Sequence, residues 1–194
     1  ASSIMISTIV ALLSVIIGIM TARALVFYEF FGKKLVTFLT ILPFMVPGTV
    51  FAMGVQLVFI KLGLNNTVTG VILAHLICSL PYAVRLLLDG TKGVGNRLEE
   101  QARVLGASPL KAFLRTSFPM LMPVILSAVS MSYIVSFSQY FLTLMIGGGN
   151  VKTFTIIMVP YLQSSNRNIA CIYSAIFLGI TLAVFGIFDW YFGI

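Results

Sequence analysis

The sequence predicts an all-α, polytopic membrane protein, and three observations carry that prediction. Of 194 residues, 59% are hydrophobic and only 9% are charged, whereas a water-soluble domain of this size carries about 25% charged residues. The apolar residues gather into five long runs, and about 20 such residues cross a hydrocarbon core of about 30 Å. The basic residues stand at the ends of these runs or between them, with a strong bias to one side of the alternation.

The runs cover about 4–26, 35–60, 67–90, 119–145 and 169–192. The first is too long for a secretory leader and has no basic segment in front of it. Because the chain opens on Ala-Ser-Ser, residues are expected to be missing before it. Pro43, Pro47 and Gly48 interrupt the second run and Pro81 the third, breaks that membrane helices tolerate where neighbours or a polar cavity satisfy the freed carbonyls. They are either ordinary kinks or the shape of a pathway. Cys78 and Cys171 lie inside apolar runs and read as small packing residues.

Charge orients the spans. The connections near 27–34 and 91–118, with Arg23 and Arg85 at the adjoining span ends, hold nine of the basic residues. Those near 61–66 and 146–168 hold three, Lys61, Lys152 and Arg167. Lys and Arg accumulate on the cytoplasmic side of membrane proteins, which places 27–34 and 91–118 in the cytoplasm. The net charge of +7 follows from this bias and needs no nucleic-acid partner. The chain then starts outside and ends inside, with Trp190, Tyr191 and Phe192 as an interfacial aromatic anchor.

The stretch from Asn96 to Pro123 is too well punctuated for a mere connection. Asn96 with Glu99 three residues on reads as a capping box opening a short helix, with Leu98, Ala102 and Leu105 on one face. Gly106 stands where that helix should end in a left-handed cap. Ser108 followed by Pro109 restarts a second helix, an N-cap and then the preferred first-turn residue. Leu110, Phe113 and Leu114 form its apolar face, Lys111 and Arg115 its basic one, and Pro119 and Pro123 open the fourth span. A cytoplasmic helix–turn–helix that holds its shape implies a docking partner.

Glu100-Gln101-Ala102, Gly106 and then Phe118-Pro119 resemble the EAA signature of permease subunits in binding-protein-dependent ABC importers. That signature is Glu-Ala-Ala, three residues, Gly, and Leu-Pro about a dozen residues on, in a cytoplasmic loop. Gln101 replaces an Ala and Phe118 the Leu. Pro43 to Gly48, Leu80-Pro81-Tyr82 and Phe137-Ser138-Gln139-Tyr140 resemble the branch handling polyamines, ferric iron, thiamine and sulfate-like anions. The resemblance covers nearly the whole chain, as a single transmembrane domain over 1–194 with the coupling loop at 91–118, apart from one expected preceding helix.

The resemblance implies a coupling helix that seats in a groove on a cytoplasmic ATPase subunit, through Glu99, Glu100, Ala102, Gly106, Ala107, Ser108 and Pro109. It also implies a second permease, identical or different, two ATPase subunits that hold ATP and Mg, and an extracytoplasmic solute-binding protein meeting the segment 153–163. The location implied is the bacterial cytoplasmic (inner) membrane. Gly90, Gly93 and Gly95 are not spaced as a phosphate loop and precede no Lys-Ser or Lys-Thr, so no cofactor is expected in this subunit.

Along the fourth span, Ser127, Ser130, Tyr133, Ser136 and Tyr140 recur every three or four residues as a polar stripe. It lines a pathway or packs helices, since Ser lets backbones approach and bond across. His75 reads as an interhelical hydrogen-bonder, Arg85 and Asp89 as a pair one turn apart. The Asn65-Asn66-Thr67 sequon reads as accidental, and no His, Cys and carboxylate cluster suggests a metal site. An ion-coupled carrier is the first rival. It needs ionisable groups deep in the membrane, yet Glu29, Asp89, Glu99, Glu100 and Asp189 all fall near predicted cytoplasmic ends. A channel or scaffold is the second, and it has no need of a shaped docking loop.

Overall fold

The computed structural model describes residues 2–164 and 167–192, the side chains of the last helix over 168–187. All regular structure among them is helical. The order is α1 (Ser2–Phe27), α2 (Lys33–Met45), α3 (Gly48–Lys61), α4 (Val68–Val94), α5 (Arg97–Val104) and α6 (Pro109–Ala112). A π turn, Phe113–Ser117, then leads into α7 (Phe118–Phe137), followed by α8 (Phe141–Gly147), α9 (Phe154–Gln163) and α10 (Arg167–Phe192). Four stretches are long and apolar enough to cross a membrane: Ser2–Phe27, Val68–Val94, Pro109–Phe137 and Asn168–Ile187. The pair α2–α3 forms a fifth, bent by 116°. Trp190, Tyr191, Phe192 and Asp189 carry side chains that lie outside the described residues.

The bend follows from Pro47. The residue before a proline is driven out of the helical region, and Val46 is extended at φ −95°, ψ 126°. Pro81, by contrast, is buried within an unbroken α4. Thr67 starts α4 as a true N-cap, its hydroxyl accepting from the Gly70 N–H at 3.0 Å and donating to the Leu64 carbonyl at 2.6 Å. The hydroxyl of the sequon therefore has a local structural use.

Helices α1, α4 and α7 make the core. Lipid tails are as apolar as Leu, so association rests on close packing, which favours small residues at the contact. On α1, Ser7, Ala11, Ser14, Gly18 and Ala22 are all buried. A Cβ at Gly18 would stand 2.9 Å from Leu87 Cδ1, and one at Gly90 2.8 Å from Val124 Cγ1. A second cluster joins Ile6, Val10, Ala52, Phe59, Val71, Ala74, Leu142 and Ile146. Cys78 packs beside it, whereas Cys171 on α10 is exposed.

Contacts at the two ends bear out the alternation read from charge. Arg23 near the end of α1 reaches Glu99 in the 91–118 segment. At the other end the Asn66 N–H donates to the Ile146 carbonyl (2.7 Å), and the Phe154 N–H to Ser3 Oγ (2.6 Å). The pair α2–α3 therefore carries the chain from the Lys33 end to the Leu64 end, as a broken span.

The fourth run departs from expectation at both ends. It starts at Pro109, because the second short helix runs through the π turn into α7, and it stops at Phe137 without a Pro or Gly to break it. Residues 138–140 interrupt the helix and α8 follows. Gly148 and Gly149, both at positive φ (50° and 82°), turn the chain after α8.

If close approach at Gly18 holds α1 to α4, Gly18→Leu should lower permease stability by about 1–3 kcal/mol, the usual cost of overpacking. Gly93→Leu, where a Cβ meets nothing within 4 Å, should cost much less. Thermal midpoints of the two purified variants check the difference.

Candidate functional site

The end of the molecule opposite Ser3 and Asn66 is built around residues 95–118. Gly95, at φ 67°, closes α4, and α5 begins at once. The expected capping box is absent: the Asn96 side chain donates to Glu100 Oε1 at 2.6 Å, and no side chain caps the helix. Glu99 is drawn away by a stronger partner. Its two oxygens accept from Arg23 Nη1 at 2.6 Å and Nη2 at 2.8 Å, the two-pronged geometry that makes Arg–carboxylate pairs strong.

Arg23 is held on its faces as well. Its guanidinium carbon lies 4.2 Å from the centroid of Phe113 and 5.4 Å from that of Phe27, within cation–π range. One side chain therefore ties α1, α5 and the π turn together. The Arg23 hydrogen bonds hold the Glu99 carboxyl below the usual carboxylate range, against an opposing effect of burial, with the charges of Arg23 and Arg103 adding.

Gly106 ends α5 at φ 89°. Its N–H donates to the Arg103 carbonyl and the Ala107 N–H to the Ala102 carbonyl, both at 3.0 Å, the Schellman pattern of a left-handed helix end. A Cβ at Gly106 would meet nothing within 4 Å, so conformation alone selects glycine there. Ser108 is extended and Pro109 begins α6, but the Ser108 side chain makes no cap bond. In the π turn the Phe118 N–H reaches back to the Phe113 carbonyl. That wider turn accompanies a buried Ala112 and Ser117 and a Phe113 packed edge-on to Phe118.

The other side of the segment is open. Val104 is 87% exposed, Leu105 88% and Leu110 68%. Glu100, Ser108, Pro109, Lys111 and Arg115 are exposed too, with Ala102 and Ala107 half-buried between the faces. Arg97, Glu100, Gln101, Val104 and Leu105 line a shallow groove of about 580 Å³. Of the residues expected to dock a partner, Glu99 is the exception. It faces inward as a brace, because the guanidinium of Arg23 outcompetes solvent for it.

The polar stripe on α7 is divided. Ser130, Tyr133 and Ser136 are buried inside the chain, with Tyr133 stacked on Phe137 and Ser136 bonded to His75. Within this chain Ser130 and Ser136 lie in helix contacts, and Tyr133 also borders a cavity of about 360 Å³ with Ile4, Thr8, Leu126 and Val184. Ser127 opens onto a different cavity of about 470 Å³, shared with Phe44, Tyr82, Arg85, Leu86 and Met131. Tyr82 meets Phe44 edge-on at 4.7 Å across it. Tyr140 is half-buried at the break before α8. Arg85 and Asp89 pair at 3.4 Å as expected.

The part that reading the residues missed is Arg23, counted there only as a positive charge. A signal existed: an arginine inside the last turns of an apolar span needs a carboxylate or a route to water, and Glu99-Glu100 offers one carboxylate to each side of a helix.

Membrane-length helices with a shaped segment at the charged end, and no nucleotide-binding domain among the described residues, are the build of a transport permease. The family model described as binding-protein-dependent transport system inner membrane component matches residues 14–191, and the chain belongs to that family. It is an inner-membrane permease subunit of a binding-protein-dependent ABC import system. It is 29% identical over 192 residues to the molybdate/tungstate transport system permease protein WtpB of Pyrococcus abyssi, an alignment covering 99% of this chain and 77% of that one. It is 34% identical over 166 residues to the probable sulfate transport system permease protein cysT of Nephroselmis olivacea, covering 79% and 58%. It is 28% identical over 187 residues to the ferric transport system permease protein FbpB of Actinobacillus pleuropneumoniae, covering 95% of this chain and 27% of that protein.

Breaking the Arg23–Glu99 pair should be costly because the remaining charge is stranded. Arg23→Met should destabilise the permease by about 2–4 kcal/mol, and the Arg23→Met/Glu99→Gln double variant by less than the sum of the singles. A carboxyl with a depressed folded pKa stabilises above its unfolded pKa and ceases to do so as pH falls through the folded one. Wild-type stability should therefore drop at pH values below the ordinary carboxylate range by an increment that Glu99→Gln lacks. Denaturant titrations across pH measure both effects.

Proposed function

We propose that residues 96–117 are the coupling segment of this permease, seated in a groove on a cytoplasmic ATPase subunit. The observation that carries this reading is the exposed Val104–Leu105–Leu110 surface beside Glu100, on a helix–turn–helix that is internally braced and runs unbroken into α7. A free loop has no reason to hold large apolar side chains in water, and a patch of this kind rimmed by charge marks an interaction site. Glu100 supplies a carboxylate for an arginine on the partner, with Gly106, Ala107, Ser108 and Pro109 setting the turn.

Two ATPase subunits carry ATP and Mg and close on each other, and the docked segments follow as rigid bodies. A second permease completes the pathway. In this chain the pathway wall is the cavity of Ser127, Tyr82, Phe44 and Arg85. The α9 side receives the solute-binding protein. The relatives named above are described as permeases for molybdate or tungstate, sulfate and ferric iron, so the solute is best found by screening ligands on the cognate binding protein.

Two variants test the coupling segment. Glu100→Ala should weaken docking by about 2–4 kcal/mol, the cost of breaking an interfacial charge pair. Gly106→Leu should act through backbone strain at φ 89°. Both should insert normally and both should lose co-purifying ATPase subunit or uncouple hydrolysis from transport. Normal recovery and solute-stimulated hydrolysis in both would overturn the assignment.

A further inference from the structure

His75 on α4 is 1% exposed, and the docking segment makes no use of it. Its Nδ1 lies 2.9 Å from Ser136 Oγ and its Nε2 2.8 Å from Thr143 Oγ1. Those two hydroxyls stand on opposite sides of the interruption at 138–140, one on α7 and one on α8.

The protons can be assigned. Thr143 Oγ1 donates to the Gln139 carbonyl at 2.9 Å, so its only hydrogen is committed and the imidazole must donate to it from Nε2. Nδ1 is then the acceptor for the Ser136 O–H. The Gln139 carbonyl, inside the break, also accepts from Thr155 Oγ1 on α9 at 3.0 Å. With that hydrogen spent, Thr153 donates to Thr155 Oγ1 at 3.0 Å. A single directed network thus runs Ser136, His75, Thr143, Gln139, Thr155, Thr153, all but the Gln139 side chain buried.

This network supplies what the sequence lacks at 138–140. There is no Pro or Gly to end the helix; side-chain hydroxyls converge instead on the Gln139 carbonyl inside the break. We infer that His75 is a positioning residue for transport, a two-sided staple that makes α8, the first turn of α9 and the outer part of α4 move as one body. From His75, α4 runs unbroken to Val94 and leads directly into the coupling segment. A protein contacting the α9 side therefore acts on the lever that ends at the ATPase dock. The functional half of this inference rests on the docking reading above; the staple does not.

Hydrogen–deuterium exchange on the reconstituted permease tests the staple. His75→Leu should speed exchange of the amides of 139–143 and 153–157 by roughly tenfold or more, as expected for losing two buried hydrogen bonds. His75→Gln, whose amide offers both a donor group and an acceptor, should restore protection, and Thr143→Val should fall between. In the assembled importer, His75→Leu should keep basal ATP hydrolysis and lose its stimulation by the binding protein, with His75→Gln again restoring it. Unchanged exchange in both His75→Leu and Thr143→Val overturns the staple whatever the docking segment does. Faster exchange with full stimulation overturns its role in transport, and if His75→Leu does not accumulate, Thr143→Val decides alone.

Discussion

An arginine near the end of an otherwise uncharged membrane helix has to meet a carboxylate or extend to water, and the choice made by Arg23 shapes the half of this permease that holds residues 95–118. Its guanidinium takes both oxygens of Glu99 and lies against Phe113. Glu99 is thereby pulled off the capping position that its spacing from Asn96 suggests, and α5 is pinned to α1. Phe113 is turned inward, in the π turn that joins α6 to α7. The outward residues, Glu100, Val104, Leu105 and Leu110, are left exposed because their neighbours face in. The docking proposed for this surface needs a rigid back, and the Arg23 clasp provides it.

Force applied at that surface meets a core suited to passing it on. Small residues bring α1, α4 and α7 into contact close enough that a Cβ at Gly18 or Gly90 would collide. Packed interfaces of this kind shift as units and resist continuous deformation. The peripheral helices differ. Ile172, Leu178, Leu182 and Ile187 of α10 and Leu57, Val58 and Ile60 of α3 are exposed apolar side chains, the surface expected of helices that meet lipid or the other permease. The division between a tight three-helix core and loosely covered flanking helices is what an importer half needs if one part transmits and another part lines a changing pathway.

Much of this was legible in the sequence, for identifiable reasons. Span number and the alternation of span ends follow from apolar length and from the placement of Lys and Arg, both set by solvent physics acting on each run separately. Gly106 and Pro109 were legible because a left-handed residue and a helix start have narrow chemical solutions. Three things were not. The Glu99 capping box lost to Arg23, a partner 76 residues away that no local rule weighs. The break at 138–140 has no breaker residue, and depends on hydroxyls from α9 and an imidazole from α4. The α7 stripe of Ser130, Tyr133 and Ser136 has helical spacing, yet spacing cannot tell a pathway from a neighbouring helix. Both want small polar groups on one face.

If the Arg23 clasp makes the proposed coupling segment and the α1–α4–α7 core one rigid body, two labels on either side of it keep their spacing through the ATP cycle. Spin labels at Met20 on α1 and Val104 on α5, both exposed, measure it by electron–electron distance in the assembled importer, without nucleotide and trapped with ATP. One distance distribution is expected, unchanged between the two states in the wild type and broadened or shifted in Arg23→Met. A distance that changes by several ångströms on ATP trapping in the wild type, or a distribution indifferent to Arg23→Met, would contradict it.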